Sequence, residues 1–106
     1  MEKQNLFFCF LVFLSFTSFC QGNIGAKLYC VANEWASDDT LLEYLDHLPY
    51  KYVKDLEPGK PCYLPFTARS HASYALNLVY RKTYKCPPHL GVKTFVNPSY
   101  GRCKYP

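Results

Sequence analysis

The sequence lacks the patterns that mark structural metal sites and serine hydrolases. It contains no Cys-x-x-Cys pair, and its three histidines stand far apart, so the usual ligand spacings of a zinc site are missing. It also contains no Gly-x-Ser-x-Gly turn, which presents the nucleophile in a large class of hydrolases. We therefore expect no metal, no cofactor and no nucleophilic active site.

Two other routes to catalysis find little support in the residues. Ser70 and His71 are neighbours on a predicted helix and point about 100° apart, which keeps the imidazole from acting as a base on that hydroxyl. Glycoside hydrolysis needs two carboxyl groups roughly 5 to 10 Å apart beside a cleft. The acidic residues here lie mostly on a helix cap, a solvated helix face or a loop, in a chain too short to build much of a cleft. The protein is predicted not to be an enzyme.

Long hydrophobic runs are also scarce, and one stands out near the start. Lys3 precedes an uncharged apolar run from Leu6 to Phe19, which has the length of a signal-peptide core and is short for a membrane span of about 20 residues. We expect residues 1–20 to be a signal peptide, with cleavage after Cys20 or after Gly22. An uncleaved membrane anchor is the alternative.

The cysteines that would remain after cleavage form an even set. They are Cys30, Cys62, Cys86 and Cys103. An even number in an exported chain predicts two disulfides, which are the usual support for a domain of about 84 residues with a limited core.

Charge and the final residues narrow the expected partners and location. The net charge of +4 is spread along the chain, and the densest basic patch, RKTYK, is too short to predict nucleic-acid binding. The last residues, GRCKYP, offer no apolar tail for a glycolipid anchor to replace. We expect a monomeric, secreted, extracellular domain without a membrane anchor.

Sequence patterns predict two helices and two short strands. Ser37 is a good N-cap for the amphipathic stretch DDTLLEYLDHL, which Pro49 ends. Thr67 caps a second helix expected over 68–81. The stretches KLYCV and GVKTFV read as strands. The predicted fold class is therefore a small, disulfide-stabilised α+β domain.

The second helix is expected to have an apolar side and a polar side. Small residues let another helix approach closely, and we expect the leucines of the first helix to pack on Ala68, Ala72, Ala75, Leu76 and Val79. The side chains expected to face away are Ser70, Ser73, Asn77 and Arg81. His71, at the edge of the apolar side, is expected to be a buried and hydrogen-bonded structural residue.

Three segments together resemble a known plant family. CVANEWASDDTLLEYLD, EPGKPCYLPFTARSHASYALNLVY and NPSYGRCKYP are similar to the X8 domain, also called carbohydrate-binding module family 43. The resemblance covers residues 28–106, and the chain looks like the short secreted single-domain members of the pollen-allergen and callose-binding type. It implies two packed helices beside a small antiparallel sheet, and the pairings Cys30–Cys86 and Cys62–Cys103.

The same resemblance implies a function, with some departures. Members of this family bind β-1,3-glucan, including callose, in the plant cell wall (apoplast) without catalysing its breakdown. This chain lacks the family's second and third cysteines, has Tyr29 in place of a usual tryptophan, and has Val79 in place of one of two usual tyrosines. The alternative prediction is a cationic secreted defence or signalling protein that binds a membrane or a protein partner.

Candidate sugar contacts are chosen by chemistry, because aromatic faces suit the C–H patches of a glucan while amide and guanidinium groups suit its hydroxyls. The carbohydrate-binding candidates are Trp35, Tyr63, Arg69, Tyr74, Asn77 and Tyr80. Trp35 is the strongest of them because a tryptophan on a loop is awkward to bury. Tyr100, in the turn next to Cys103, has the strongest case for a structural role.

Overall fold

Two helices and a two-stranded sheet form the framework of the computed structural model, which describes residues 26–106. The predicted signal peptide and its two cleavage points lie outside the described residues. In chain order, and with two short 3-10 turns at Tyr50–Tyr52 and Lys54–Leu56, the elements are β1 (Tyr29–Ala32), α1 (Asp38–Asp46), α2 (Ala68–Thr83) and β2 (Gly91–Thr94). The α+β fold class is confirmed.

Both helices begin where their capping residues predict. The Ser37 hydroxyl accepts a hydrogen bond from the Thr40 N–H at 3.2 Å, and the Thr67 hydroxyl accepts one from the Ser70 N–H at 3.1 Å, which satisfies amide donors that the first turn leaves unpaired. The second helix runs two residues beyond its predicted end. It stops at Tyr84, whose φ of 61° is left-handed.

The strands are antiparallel, with Tyr29 opposite Thr94 and Ala32 opposite Gly91. The second strand is shorter than the GVKTFV stretch predicts, because pairing ends at Thr94. A disulfide joins Cys30 to Cys86 and ties β1 to the segment after α2, while a second joins Cys62 to Cys103. These are the pairings that the family resemblance implies.

The first side of the core lies between the two helices. Leu41 of α1 is fully buried against Ala72 and Leu76 of α2, as the alanine-rich side predicts. His71 is 8% exposed, and its Nε2 lies 2.6 Å from the carbonyl oxygen of Tyr63. The predicted structural role of this histidine is confirmed.

The second side of the core corrects the prediction that Ser73 and Asn77 face away from the protein. Asn77 is fully buried; its Oδ1 accepts a hydrogen bond from the Cys30 N–H at 3.1 Å, and its Nδ2 donates to the oxygen of Pro106 at 3.0 Å. The Ser73 hydroxyl accepts from the Ala32 N–H at 2.9 Å. β2 pairs with only one edge of β1, so the N–H groups on the other edge need acceptors. Ser73 and Asn77 of α2 supply them.

Alkaline pH should destabilise the fold through Tyr74. Burial raises the pKa of Tyr74 to about 12, and the carboxylate of Asp55, which accepts a hydrogen bond from the Tyr74 hydroxyl at 3.1 Å, adds to the shift. An unfolded tyrosine titrates near 10. The unfolded state therefore loses this proton first, so the stabilisation is complete below pH 10 and is lost between about pH 10 and 12.

Guanidinium unfolding measured across this range checks the expectation. The free energy of unfolding should fall above pH 10, and Tyr74→Phe should make this fall shallower. The part of the fall that remains in this variant comes from Tyr105, whose pKa burial also raises. Replacement of the exposed Tyr84 by phenylalanine is the matched control. A slope that is identical in wild type and Tyr74→Phe would contradict this assignment.

Candidate carbohydrate-binding surface

An exposed tryptophan stands at the edge of an open groove between two loops. Trp35 is 86% exposed, on the connection from β1 to α1. The groove has a volume of about 640 Å³ and separates this connection from the start of β2. We call it the Trp35 groove, and its lining residues are Ala32, Asn33, Glu34, Trp35, Pro88, Gly91 and Val92.

Asn33 fixes both walls of the Trp35 groove. Its Oδ1 accepts hydrogen bonds from the N–H groups of Trp35 at 3.0 Å and Ala36 at 2.8 Å, which folds the loop around the side chain. Its Nδ2 donates to the Pro88 carbonyl at 2.9 Å on the opposite wall. The groove is therefore held by hydrogen bonds before any ligand arrives, which lowers the entropy lost on binding.

Arg69, in the first turn of α2, supports the same loop from beneath. Its two terminal nitrogens donate to the carbonyl oxygens of Asn33 and Ala36, the latter at 2.8 Å, so the guanidinium bridges the residues on either side of the Trp35 segment. The planar fork of arginine suits two acceptors at once. The sequence predicts Arg69 as a donor to sugar hydroxyls, and in the structure two of its nitrogens already donate to these two carbonyls.

The chemistry of the groove suits a neutral sugar. The Trp35 ring and the half-exposed Val92 offer apolar surface, on which the C–H face of a pyranose can lie. The exposed carboxylate of Glu34 can accept hydrogen bonds from sugar hydroxyls.

A second aromatic surface lies at the start of α2, and the sequence reasoning missed its main residue. Phe66 is 72% exposed and stacks on Tyr63, with 5.4 Å between ring centroids. A neighbouring groove of about 370 Å³ is lined by Asp38, Leu42, Phe66, Thr67, Ala68 and His71. The available signal was position, because a phenylalanine just before the N-cap residue of α2 has no helix face to bury it.

The six candidate residues do not form one site. Trp35 lines the groove, Arg69 bonds to the backbone of the Trp35 loop, and the half-buried Tyr63 belongs to the second surface. Tyr80 is half-buried near the other end of α2, with the guanidinium carbon of Arg81 5.6 Å from its ring centroid.

Tyr74 and Asn77 are corrections to the predicted binding surface. Tyr74 is 6% exposed and packs edge-on against Tyr105 at 5.2 Å, and Asn77 is fully enclosed between α2 and β1. Neither side chain can reach a polymer outside the protein, because both fill the side of α2 that packs on the sheet.

Tyr100 is structural, as the sequence predicts. It is half-buried, and its hydroxyl donates to the Leu64 carbonyl at 2.8 Å. Within residues 26–106, no cluster of three or more potential metal ligands occurs. The helices of the same range are all too short or too polar to cross a bilayer.

Comparison with known proteins places the chain in a family. Over 89 residues it is 33% identical to the major pollen allergen Ole e 10 of Olea europaea, a match that covers 76% of this chain and 72% of the allergen. It is 34% identical to glucan endo-1,3-beta-glucosidase 4 of Arabidopsis thaliana and 32% identical to a glucan endo-1,3-beta-D-glucosidase of Olea europaea. No family model and no solved structure matches the chain.

The extent of these matches decides what they establish. The chain spans 18% of the first glucosidase and 19% of the second, whereas it covers most of the pollen allergen. The fold is that of a small α+β domain held by two disulfides. The chain belongs to the X8 domain family and is similar to its small pollen-allergen type.

Proposed function

We propose that the protein is a secreted, non-catalytic module that binds β-1,3-glucan of the callose type in the cell wall through the Trp35 groove. The observation that carries the proposal is Trp35 itself, a large apolar ring that is 86% exposed beside a braced groove. Leaving such a ring in water gains nothing for folding, and contact with a ligand would recover the free energy of its burial. The glucan-directed names of the relatives support the same ligand class.

The carboxyl groups support binding without catalysis. Hydrolysis of a glycosidic bond needs two of them around the scissile bond. The Trp35 groove is lined by one, Glu34, the groove beside Phe66 by Asp38 alone, and a third groove of about 190 Å³ by Glu43 alone. The match to the glucosidases, at under a fifth of their length, agrees with a shared accessory domain.

Secretion is part of the proposal and is supported by the disulfides. Two bridges among four cysteines are typical of proteins that fold in an oxidising compartment. Binding then proceeds by association alone, with stacking on Trp35 and hydrogen bonds to Glu34 on a rigid surface.

Retention on insoluble β-1,3-glucan tests this function. The purified, oxidised protein should be retained on β-1,3-glucan and not on cellulose, and soluble β-1,3-glucan should release it. Trp35→Ala should weaken binding about 30-fold, which corresponds to the loss of about 2 kcal/mol of ring burial. Tyr84→Ala, which removes another exposed ring at the far end of α2, is the matched control and should bind normally.

Two outcomes would overturn the proposal. Equal retention of wild type and Trp35→Ala would move the site away from the groove. No retention of a folded, doubly bridged protein would favour the alternative function, a cationic defence or signalling protein that binds a membrane or a protein partner. Release of reducing sugar from β-1,3-glucan would contradict the non-catalytic assignment.

A further inference from the structure

The net charge is not spread along the chain as expected, because acidic and basic residues occupy different parts of it. Every Asp and Glu among residues 26–106 falls between Glu34 and Glu57, whereas residues 58–106 contain eight lysines and arginines and no carboxylate side chain. The second half of the domain thus offers its cations no side-chain counter-charge of its own. Where such cations lie close together on the surface, they attract a polyanion.

Two cations share the Tyr29 ring, and two more lie in the chain where α2 ends. The guanidinium carbon of Arg81 lies 5.1 Å from the Tyr29 ring centroid, and the Lys27 ammonium lies 6.0 Å from the same centroid. Lys82, in the last turn, and Lys85, just after it, are exposed. The Nε of Arg81 is not available to a ligand, because it donates to the oxygen of Pro106 at 2.8 Å. We call Lys27, Arg81, Lys82 and Lys85 the basic cluster.

An exposed ring lies between Lys82 and Lys85 in the chain, in a backbone conformation that tyrosine disfavours. Tyr84 ends α2 with a φ of 61°, where glycine is the usual residue, and its side chain is 81% exposed. Its backbone N–H donates to the Tyr80 carbonyl at 2.8 Å, a bond that glycine would make equally well. Folding therefore does not explain why a tyrosine occupies this position.

We propose that the basic cluster and Tyr84 bind a carboxylated polysaccharide, a polyuronate. Such a polymer carries one carboxylate per uronic acid unit for the lysines and a pyranose face for the Tyr84 ring. An anionic membrane fits less well, because interfacial binding draws on the broad apolar face of one amphipathic helix. The exposed large apolar side chains of residues 67–106 lie on no helix: they are Tyr84, Val92, Phe95 and Val96. The disulfides, typical of exported proteins, favour a polysaccharide over a nucleic acid.

The position of this site has a consequence that rests on the proposed glucan function. Arg69, beneath the Trp35 groove, and Arg81 are twelve residues apart on α2, which corresponds to about 18 Å along the helix axis. Two polymers can therefore occupy the two ends together. The domain would then bridge a β-glucan and a polyuronate.

Binding to polygalacturonate tests the proposal directly. The oxidised protein should bind polygalacturonate at low ionic strength, lose affinity as salt is raised, and bind the methyl-esterified polymer far more weakly. Lys82→Ala/Lys85→Ala should weaken binding about tenfold, and Tyr84→Ala should also weaken it. Lys51→Ala/Lys54→Ala is the matched control, because it removes two exposed lysines from the acidic part of the chain; its binding should stay close to wild type.

The other outcomes separate this proposal from its competitors. Equal losses in the two double variants would show only general charge attraction and would overturn it. Binding to phosphatidylserine–phosphatidylcholine vesicles or to single-stranded DNA, with none to polygalacturonate, would also overturn it. Trp35→Ala should keep polygalacturonate binding, and Lys82→Ala/Lys85→Ala should keep glucan retention, so failure of one site is distinguishable from failure of the other.

Discussion

Replacement of Arg69 by methionine should remove most of the glucan binding while the domain stays folded. Methionine keeps much of the aliphatic length but cannot donate to the carbonyl oxygens of Asn33 and Ala36. Without those two bonds the Trp35 segment is free to leave its bound geometry. Because Arg69 acts on the glucan only through the Trp35 segment, the loss of affinity should approach, and not exceed, the roughly 30-fold loss expected for Trp35→Ala.

A positioning role predicts more than a weaker affinity. Trp35 fluorescence anisotropy should fall in free Arg69→Met, because the ring becomes more mobile, whereas a direct sugar contact would leave the free protein unchanged. Arg69→Lys should restore part of the affinity through one carbonyl contact. Arg81→Met, at the other end of α2, is the matched control and should retain glucan normally. Wild-type affinity in Arg69→Met together with lost affinity in Trp35→Ala would contradict the positioning role.

Loss of the Cys30–Cys86 disulfide should have the largest effect on stability. The bridge spans a sequence separation of 56 residues, for which the chain-entropy model gives a loss of about 4 kcal/mol. A domain of this size has a total free energy of unfolding of about 4–12 kcal/mol. Cys30→Ser/Cys86→Ser should therefore lose between about a third and all of that stability.

The Cys30–Cys86 bridge also contributes packing to the core, in addition to limiting the unfolded chain. Cys30 is fully buried, and a Cβ at Gly91 would lie 2.9 Å from the Cys30 sulfur and 3.0 Å from the Cys86 sulfur, so β2 is built directly against the disulfide. Guanidinium unfolding followed by circular dichroism measures the loss. Cys62→Ser/Cys103→Ser, with a separation of 41 residues, should lose slightly less. An unfolding midpoint unchanged in Cys30→Ser/Cys86→Ser would contradict the expected loss.

Local sequence rules are reliable where the decisive interaction spans a few residues. Ser37 and Thr67 predict both helix starts because a capping hydroxyl reaches an amide only three residues ahead. The alanine-rich side of α2 predicts its contact with Leu41, because side-chain size limits how closely two helices approach. The disulfide pairing came from the family resemblance, since four cysteines alone leave three pairings open.

The sequence is a poorer guide where a polar side chain has a distant partner. Asn77 looks like a solvent-facing helix residue, yet it satisfies the Cys30 amide 47 positions away. Arg69 looks like a sugar ligand, yet its partners are backbone carbonyls 36 and 33 positions away. Polarity shows that such a group needs a hydrogen-bond partner, but not whether the partner is water, ligand or protein.

The sequence by itself determined the helices, their caps, the side of α2 that meets α1, and the exposure expected of a loop tryptophan. Only the tertiary structure decided that the opposite side of α2 is buried by β1, that Phe66 is exposed, and that Asn33 and Arg69 brace Trp35 at a groove. The physical reason is range: caps and helix periodicity depend on neighbours in the chain, whereas burial and groove shape depend on which distant segments the fold brings together.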